Sequence, residues 1–152
     1  MIVGLDFDGT VVEHAYPAIG LELPGAFDWL RKAEAEYGVE YILYTMRDGH
    51  ELSAAVRYCG DRGICFLGVN TNPTQMHWTM SPKAYCHLYI DDAAMGVPLL
   101  EPVSGRRAYV DWVVAGPMLM EMAEEWLIEH PDRKGHAVKS AARYVSPGLT
   151  SE

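Results

Sequence analysis

Apolar residues along this chain fall into short runs that stop abruptly at polar ones. Ile2, Val3 and Leu5 form the first run, and an apolar run of that length reads as a buried strand. It breaks off into Asp6-Phe7-Asp8-Gly9-Thr10. Glu40 to Tyr44 reads as a second strand and stops at Thr45-Met46-Arg47-Asp48-Gly49. Ile64 to Val69 gives a third, and Cys86 to Ile90 a fourth that ends in Asp91-Asp92. Between them the apolar period changes to that of a helix. Ala26, Leu30, Ala33 and Tyr37 share one face, with Pro24 and Gly25 opening the helix and Gly38 stopping it. Leu52, Ala55, Val56 and Cys59 define a second helix, closed by Gly60 to Gly63. Leu119, Met122, Ala123 and Trp126 define a third, starting near Pro117 and ended by Pro131.

The alternation of strand and helix predicts an α/β fold, a three-layer Rossmann-like domain around a central parallel sheet. Val11 to Leu23 reads as an irregular flap or small hairpin over the first strand tip. Residues 70–81 read as a polar loop near the same crevice, carrying Pro73, His77 and Trp78. Residues 93–109 are expected to loop back across the top. Residues 1–130 make one domain, and 131–152 a locally basic tail, mobile or docked.

Composition narrows the class. A length of 152 residues suffices for one domain with a real core. A formal net charge of −9 argues against broad binding to long nucleic acid, which needs a basic surface. Cys59, Cys65 and Cys86 have no metal-type spacing and read as buried free thiols. No basic, apolar leader precedes the first strand and no apolar run is long enough to span a bilayer. The expected setting is the cytoplasm, away from membranes.

The strand tips carry the chemistry. In a parallel sheet all carboxyl ends point one way, and ligands sit just beyond them. Asp6/Asp8, Thr45 and Asp91/Asp92 would therefore meet in one crevice. Backbone alternation puts Asp6 and Asp8 on one side and turns Phe7 to the core. Carboxylates held so close repel, and Mg²⁺, which takes one or two carboxylates plus phosphate oxygens and water, relieves that repulsion. Gly9 permits a sharp turn and close approach of backbone to a ligand. A carboxylate nucleophile, a hydroxyl, an ammonium from Lys83 and further carboxylates make a set suited to phosphoryl transfer.

Four stretches resemble the motifs of the haloacid dehalogenase superfamily: Asp6-Phe7-Asp8-Gly9-Thr10, Ile42-Leu43-Tyr44-Thr45, Lys83, and Tyr89-Ile90-Asp91-Asp92. The likeness spans roughly residues 1–100. The fuller pattern, with Val11-Val12-Glu13-His14 followed by Tyr16-Pro17-Ala18-Ile19-Gly20, is similar to small bacterial and phage-type phosphatases of that superfamily. The resemblance implies a Mg²⁺-dependent phosphomonoester hydrolase. Asp6 would form an aspartyl-phosphate, and Asp8 would protonate the leaving oxygen and then deprotonate water. Thr45 would hydrogen-bond the phosphate, and Lys83 would offset its charge. The metal would be held by Asp6, the Asp8 backbone carbonyl and the acidic pair, with Asp92 direct and Asp91 in support. Gly9, Thr10, Met46 and Arg47 fall on the substrate side.

Only 13 residues separate Thr10 from Pro24 and 37 separate Thr45 from Lys83, so neither interval holds a folded cap. An open site fits a phosphorylated small molecule or a phosphoryl group exposed on something larger; the tail or a neighbouring subunit of a homo-oligomer could cover it. A nucleotide or polynucleotide-end phosphatase and an idle phospho-ligand-binding module are the other readings. Blander roles stand beside the functional ones. Lys83 alone reads as a surface lysine and Thr45 as a helix cap. Arg47 either contacts substrate or pairs with Asp48 or Glu51. His14 reads first as solvated or satisfied in the core, and Trp78 as a packing residue.

Overall fold

The computed structural model describes residues 1–101 and 107–133. Four parallel strands form the central sheet: β1 (Ile2–Leu5), β2 (Glu40–Leu43), β3 (Phe66–Val69) and β4 (Leu88–Ile90). Their order is β3-β2-β1-β4. Helices α1 (Ala26–Tyr37) and α2 (Gly49–Gly60) carry the chain from β1 to β2 and from β2 to β3. A two-stranded antiparallel ribbon, β5 (Leu99–Leu100) and β6 (Tyr109–Val110), lies within the stretch expected to loop over the top. Helix α3 (Trp112–Glu129) follows, then a 3₁₀ turn at Pro131–Arg133. The expected tail beyond that turn, and residues 102–106, lie outside the described residues.

The fold is the expected α/β, Rossmann-like arrangement. Alternation along each strand builds two cores. Val3, Leu5, Tyr41 and Leu43 join Phe27 and Leu30 of α1, Ala55 and Cys59 of α2, and Trp112 and Leu119 of α3 in the larger cluster. Ile42 on the opposite face of β2 belongs to a smaller cluster with Ala84 and Cys86, against which Ile2, Tyr44, Leu67 and Tyr89 pack. The irregular segment before β4 therefore supplies the third layer. Handedness explains this: right-handed crossovers from β1 through β3 put α1 and α2 on one face, and the return to β4, running the other way, passes over the opposite face.

The order also fixes where a ligand can sit. The chain leaves β1 toward β2 and later comes back to β4 on the other side. That reversal is a topological switch point, and a crevice opens there at the carboxyl ends.

Three expectations are corrected. Helix α3 begins five residues before Pro117. Asp111 caps it, its Oδ1 accepting from the Val113 amide at 3.0 Å, and Pro117 lies inside. The third and fourth strands start later than expected, at Phe66 and Leu88. Cys65 is exposed, because it stands between buried Ile64 and Phe66 and alternation turns it outward. Cys59 and Cys86 are buried free thiols as expected, and burial pushes their pKa values up to about 12 and about 11.

Helices α1 and α3 pack on each other through Trp29 and Gly116. A Cβ at Gly116 would stand 2.3 Å from Cδ1 and Cγ of the Trp29 indole, so the whole ring would have to move. Gly116→Ala gains about 1 kcal/mol of helix propensity, but overpacking costs roughly 1–3 kcal/mol. We expect a net loss of stability of up to about 2 kcal/mol on urea denaturation. A variant as stable as the wild type or more so would mean that this contact is loose.

Candidate active site

Asp6 leaves the end of β1, its amide donating to the Ile90 carbonyl at 2.9 Å. The next six residues coil tightly. The Val11 amide bonds the Phe7 carbonyl at 3.0 Å, and the Gly9 amide bonds the Val12 carbonyl at 2.7 Å. Gly9 has φ 83°, and a Cβ there would strike His14 Nε2 at 2.2 Å and Asp92 Cγ at 2.8 Å. Phe7 is fully buried, as alternation requires.

Thr10 joins the two acidic strand tips. Its hydroxyl donates to Asp6 Oδ2 at 3.0 Å and accepts from the Asp92 amide at 3.1 Å. Its carbonyl accepts from Trp112 Nε1 at 2.6 Å, and the Gly9 carbonyl accepts from the Val110 amide at 2.8 Å. Both residues are buried with these groups engaged. The expected substrate contacts at Gly9 and Thr10 are thus corrected: this turn braces the carboxylates from behind.

A cavity of about 460 Å³ opens in front of them, lined by Asp6, Asp8, His14, Tyr16, Thr45, Met46, Arg47, Asp91, Asp92, Ala93 and Arg107. One carboxylate oxygen from each of Asp6, Asp91 and Asp92 lies within 4.8 Å of the other two. Burial, first, and the nearby Asp91 and Asp92 push the Asp6 pKa up to about 7, against hydrogen bonds from the Phe7 backbone and Thr10 that lower it. The unrelieved repulsion and the all-oxygen donor set fit a hard divalent cation such as Mg²⁺. Asp8 does not join that triplet.

Asp8 is held by Arg47. Arg47 Nε donates to Asp8 Oδ2 at 2.6 Å and Nη2 to Asp8 Oδ1 at 2.7 Å, a bidentate pair. The same guanidinium reaches the flap, with Nη1 donating to the Pro17 carbonyl at 3.1 Å and Nη2 to the Ala18 carbonyl at 2.7 Å. Its side chain is 1 % exposed. The ion-pair partner of Arg47 is Asp8, not the expected Asp48 or Glu51, and Arg47 lines the cavity. The flap it grips is hairpin-like, with Val12 bridged to Glu22 and the Glu13 amide bonded to the Leu21 carbonyl at 2.8 Å.

Thr45 is where the sequence puts it. Its hydroxyl accepts from the Arg47 amide at 3.2 Å, which leaves its own proton available to a ligand. Asn70 fixes it: the carboxamide accepts from the Thr45 amide and donates to the Thr45 carbonyl, each at 2.8 Å. Sequence reading missed Asn70, although an Asn directly after an apolar run marks a left-handed residue, here with φ 52°. Met46 is 98 % exposed on the rim.

Other expectations move. His14 is a site residue, its Nε2 lying 2.9 Å from Asp92 Oδ2. Arg107, not singled out in the sequence, lines the cavity, with Nη2 at 3.8 Å from Asp92 Oδ2. Lys83 is not among the lining residues. It is exposed, and its ammonium sits 5.5 Å from the centre of the Tyr89 ring. His77 and Trp78 are not near this crevice either. They line a different cavity with Met1, Ile2 and Glu40, at the amino ends of β1 and β2.

No family model matches the sequence, and no curated protein matches it. A solved structure does: that of a conserved protein from Bacteroides thetaiotaomicron, with 34 % identity, a TM-score of 0.65, and coverage of 80 % of this chain and 91 % of that one. No helix among the described residues is long and apolar enough to cross a membrane.

Removing the guanidinium strands Asp8 and frees the flap. We expect Arg47→Ala to lose about 2–4 kcal/mol in urea denaturation, and Arg47→Lys to recover little, since an ammonium lacks the fork. An unchanged midpoint in Arg47→Ala would show that the flap is held elsewhere. The raised Asp6 pKa predicts a pH signature in metal-free protein. The unfolded carboxyl ionises near 3.8 and the folded one near 7, so its contribution falls as pH rises between those values. Asp6→Asn should therefore gain about 2–3 kcal/mol more over the wild type at pH 8 than at pH 5, in chelator. A gap independent of pH would mean that Asp6 ionises normally.

Proposed function

The chain belongs to the family of the conserved Bacteroides thetaiotaomicron protein, a relationship that carries no activity with it, and we propose from the site itself that it is a Mg²⁺-dependent phosphomonoester hydrolase of the haloacid dehalogenase type. One observation carries the reading. Three carboxylate oxygens crowd within 4.8 Å at the sheet's switch point, with the Thr45 hydroxyl lining the same cavity.

Asp6, Asp91 and Asp92 would hold the metal, which when bound offsets charge on the phosphoryl oxygens. Asp6 attacks phosphorus; the bond from phosphorus to the ester oxygen breaks as the aspartyl-phosphate bond forms. Water then attacks that phosphorus and releases inorganic phosphate, which restores the carboxylate. Thr45 donates to a phosphoryl oxygen and orients the group. Asp8, in its ion pair with Arg47, is arranged as an acceptor and takes the proton from the attacking water. In the first half-reaction the leaving oxygen takes its proton from Asp8 in its protonated form, out of that pair, and the proton Asp8 then takes from the attacking water restores that form. The substrate is a phosphorylated small molecule, or a phosphoryl group exposed on a larger one, since the cavity reaches the surface at the exposed side chains of Tyr16, Met46 and Arg107.

The Asp8–Arg47 clamp also favours a second reading, a phosphate-binding module without turnover, because both Asp8 oxygens are already engaged. Phosphate release from a panel of monoesters, with Mg²⁺ and with chelator, separates the two. We expect metal-dependent release that falls at least ~10³-fold in Asp6→Asn, the loss typical of removing a nucleophile. Equal release from wild type and Asp6→Asn would remove Asp6 as nucleophile. Binding of inorganic phosphate with no release would favour the module.

A further inference from the structure

We propose that Arg107 is the residue that receives the phosphoryl group's charge in this cavity, the part that the sequence motifs give to Lys83. The inference rests on the phosphatase reading and adds a substrate-contacting residue to it.

The starting point is charge. The cavity is lined by four carboxylates, from Asp6, Asp8, Asp91 and Asp92. A phosphoryl dianion entering so acidic a space needs cationic groups with free donors beside any metal. Arg47 has at most one to spare: its guanidinium is buried and four of its five N–H donors are taken, two by Asp8 and two by the flap. His14 is committed to Asp92. Lys83 is outside the lining, over the Tyr89 ring.

Arg107 differs on each count. Its side chain is 71 % exposed, and its contact with Asp92 Oδ2, at 3.8 Å, is at the outer limit of an ion pair. A guanidinium carries five N–H donors in a planar fork that matches two phosphate oxygens at once. Among the described residues the fork makes no hydrogen bond, only that long contact. Its backbone is not adrift. Three residues on, the Val110 amide bonds the Gly9 carbonyl at 2.8 Å, and Val110 pairs with Leu99 in the ribbon. The loop that positions Asp6 therefore also positions the strand leading from Arg107. Asp92 sets the side from which the guanidinium approaches, next to the acidic triplet.

The test is calorimetric binding of inorganic phosphate in Mg²⁺, alongside KM and kcat for a monoester that the wild type hydrolyses. The proteins are wild type, Arg107→Ala, Arg107→Lys and Lys83→Ala. A lost charge-assisted contact corresponds to roughly a 10- to 100-fold effect. Arg107→Ala should weaken phosphate binding by that factor and raise KM in parallel. Arg107→Lys should recover part of it, keeping the charge and losing the fork. The loss in Lys83→Ala must be the smaller one. If Lys83→Ala shows the larger loss, or Arg107→Ala binds phosphate as the wild type does, the proposal is overturned while the phosphatase reading stands. A wild type that neither binds phosphate nor hydrolyses any monoester overturns both.

Discussion

A guanidinium withdrawn from water must find partners for nearly all of its donors, and Arg47 finds them on two separate segments. Two bonds go to Asp8, just past the end of β1, and two go to carbonyls of the flap. Arg47 itself stands just past the end of β2. The central pair of strands and the segment over their tips are thus tied through one side chain. Its Cζ also lies 4.9 Å from the centre of the Phe7 ring and 5.3 Å from that of Tyr16, so the clamp has aromatic surfaces beside it. The flap is consequently a fixed wall of the cavity.

Around that clamp the other site residues are held from behind rather than from the ligand side. Thr10 braces Asp6 and the Asp92 amide. Asn70 braces the backbone of Thr45. The Asp91 carboxylate accepts from the Ala93 amide at 2.8 Å, which fixes the turn after β4. The supports come from the same loop or from the neighbouring strand end, so the cavity face is left to groups with a free lone pair or proton. Preorganisation of this kind is what a site needs when charge must be met without rearrangement.

The sheet and its acidic tips were legible in the sequence because short apolar runs that end in Asp or Thr need only local information. Thr45, Asp91 and Asp92 stand where that pattern puts them. What escaped was set by contacts distant along the chain. Arg47 pairs with a residue 39 positions away, while Asp48 and Glu51 offered nearer but unused charges. Arg107 reaches the site through a backbone bond between Val110 and Gly9, which no periodicity announces. His77 and Trp78 were assigned to the wrong end of the sheet, because a loop of twelve polar or mixed residues does not reveal which rim it crosses. Pro117 misled in a different way. It suits a first turn, but Asp111 supplies a side-chain cap earlier, and the helix tolerates the proline inside.

Strand β4 is only three residues long and, among the described residues, pairs with β1 alone, which makes its other side the border of the described sheet. Two of the three crowded carboxylates hang from that border, and the third hangs from the centre. Short strands with one neighbour are held by fewer backbone hydrogen bonds than central ones, so the acidic triplet straddles a weakly and a strongly paired part of the sheet. A cation bound by those three oxygens would also fasten the margin of the sheet to its middle. Occupancy of the site would then be readable as slower exchange along β4.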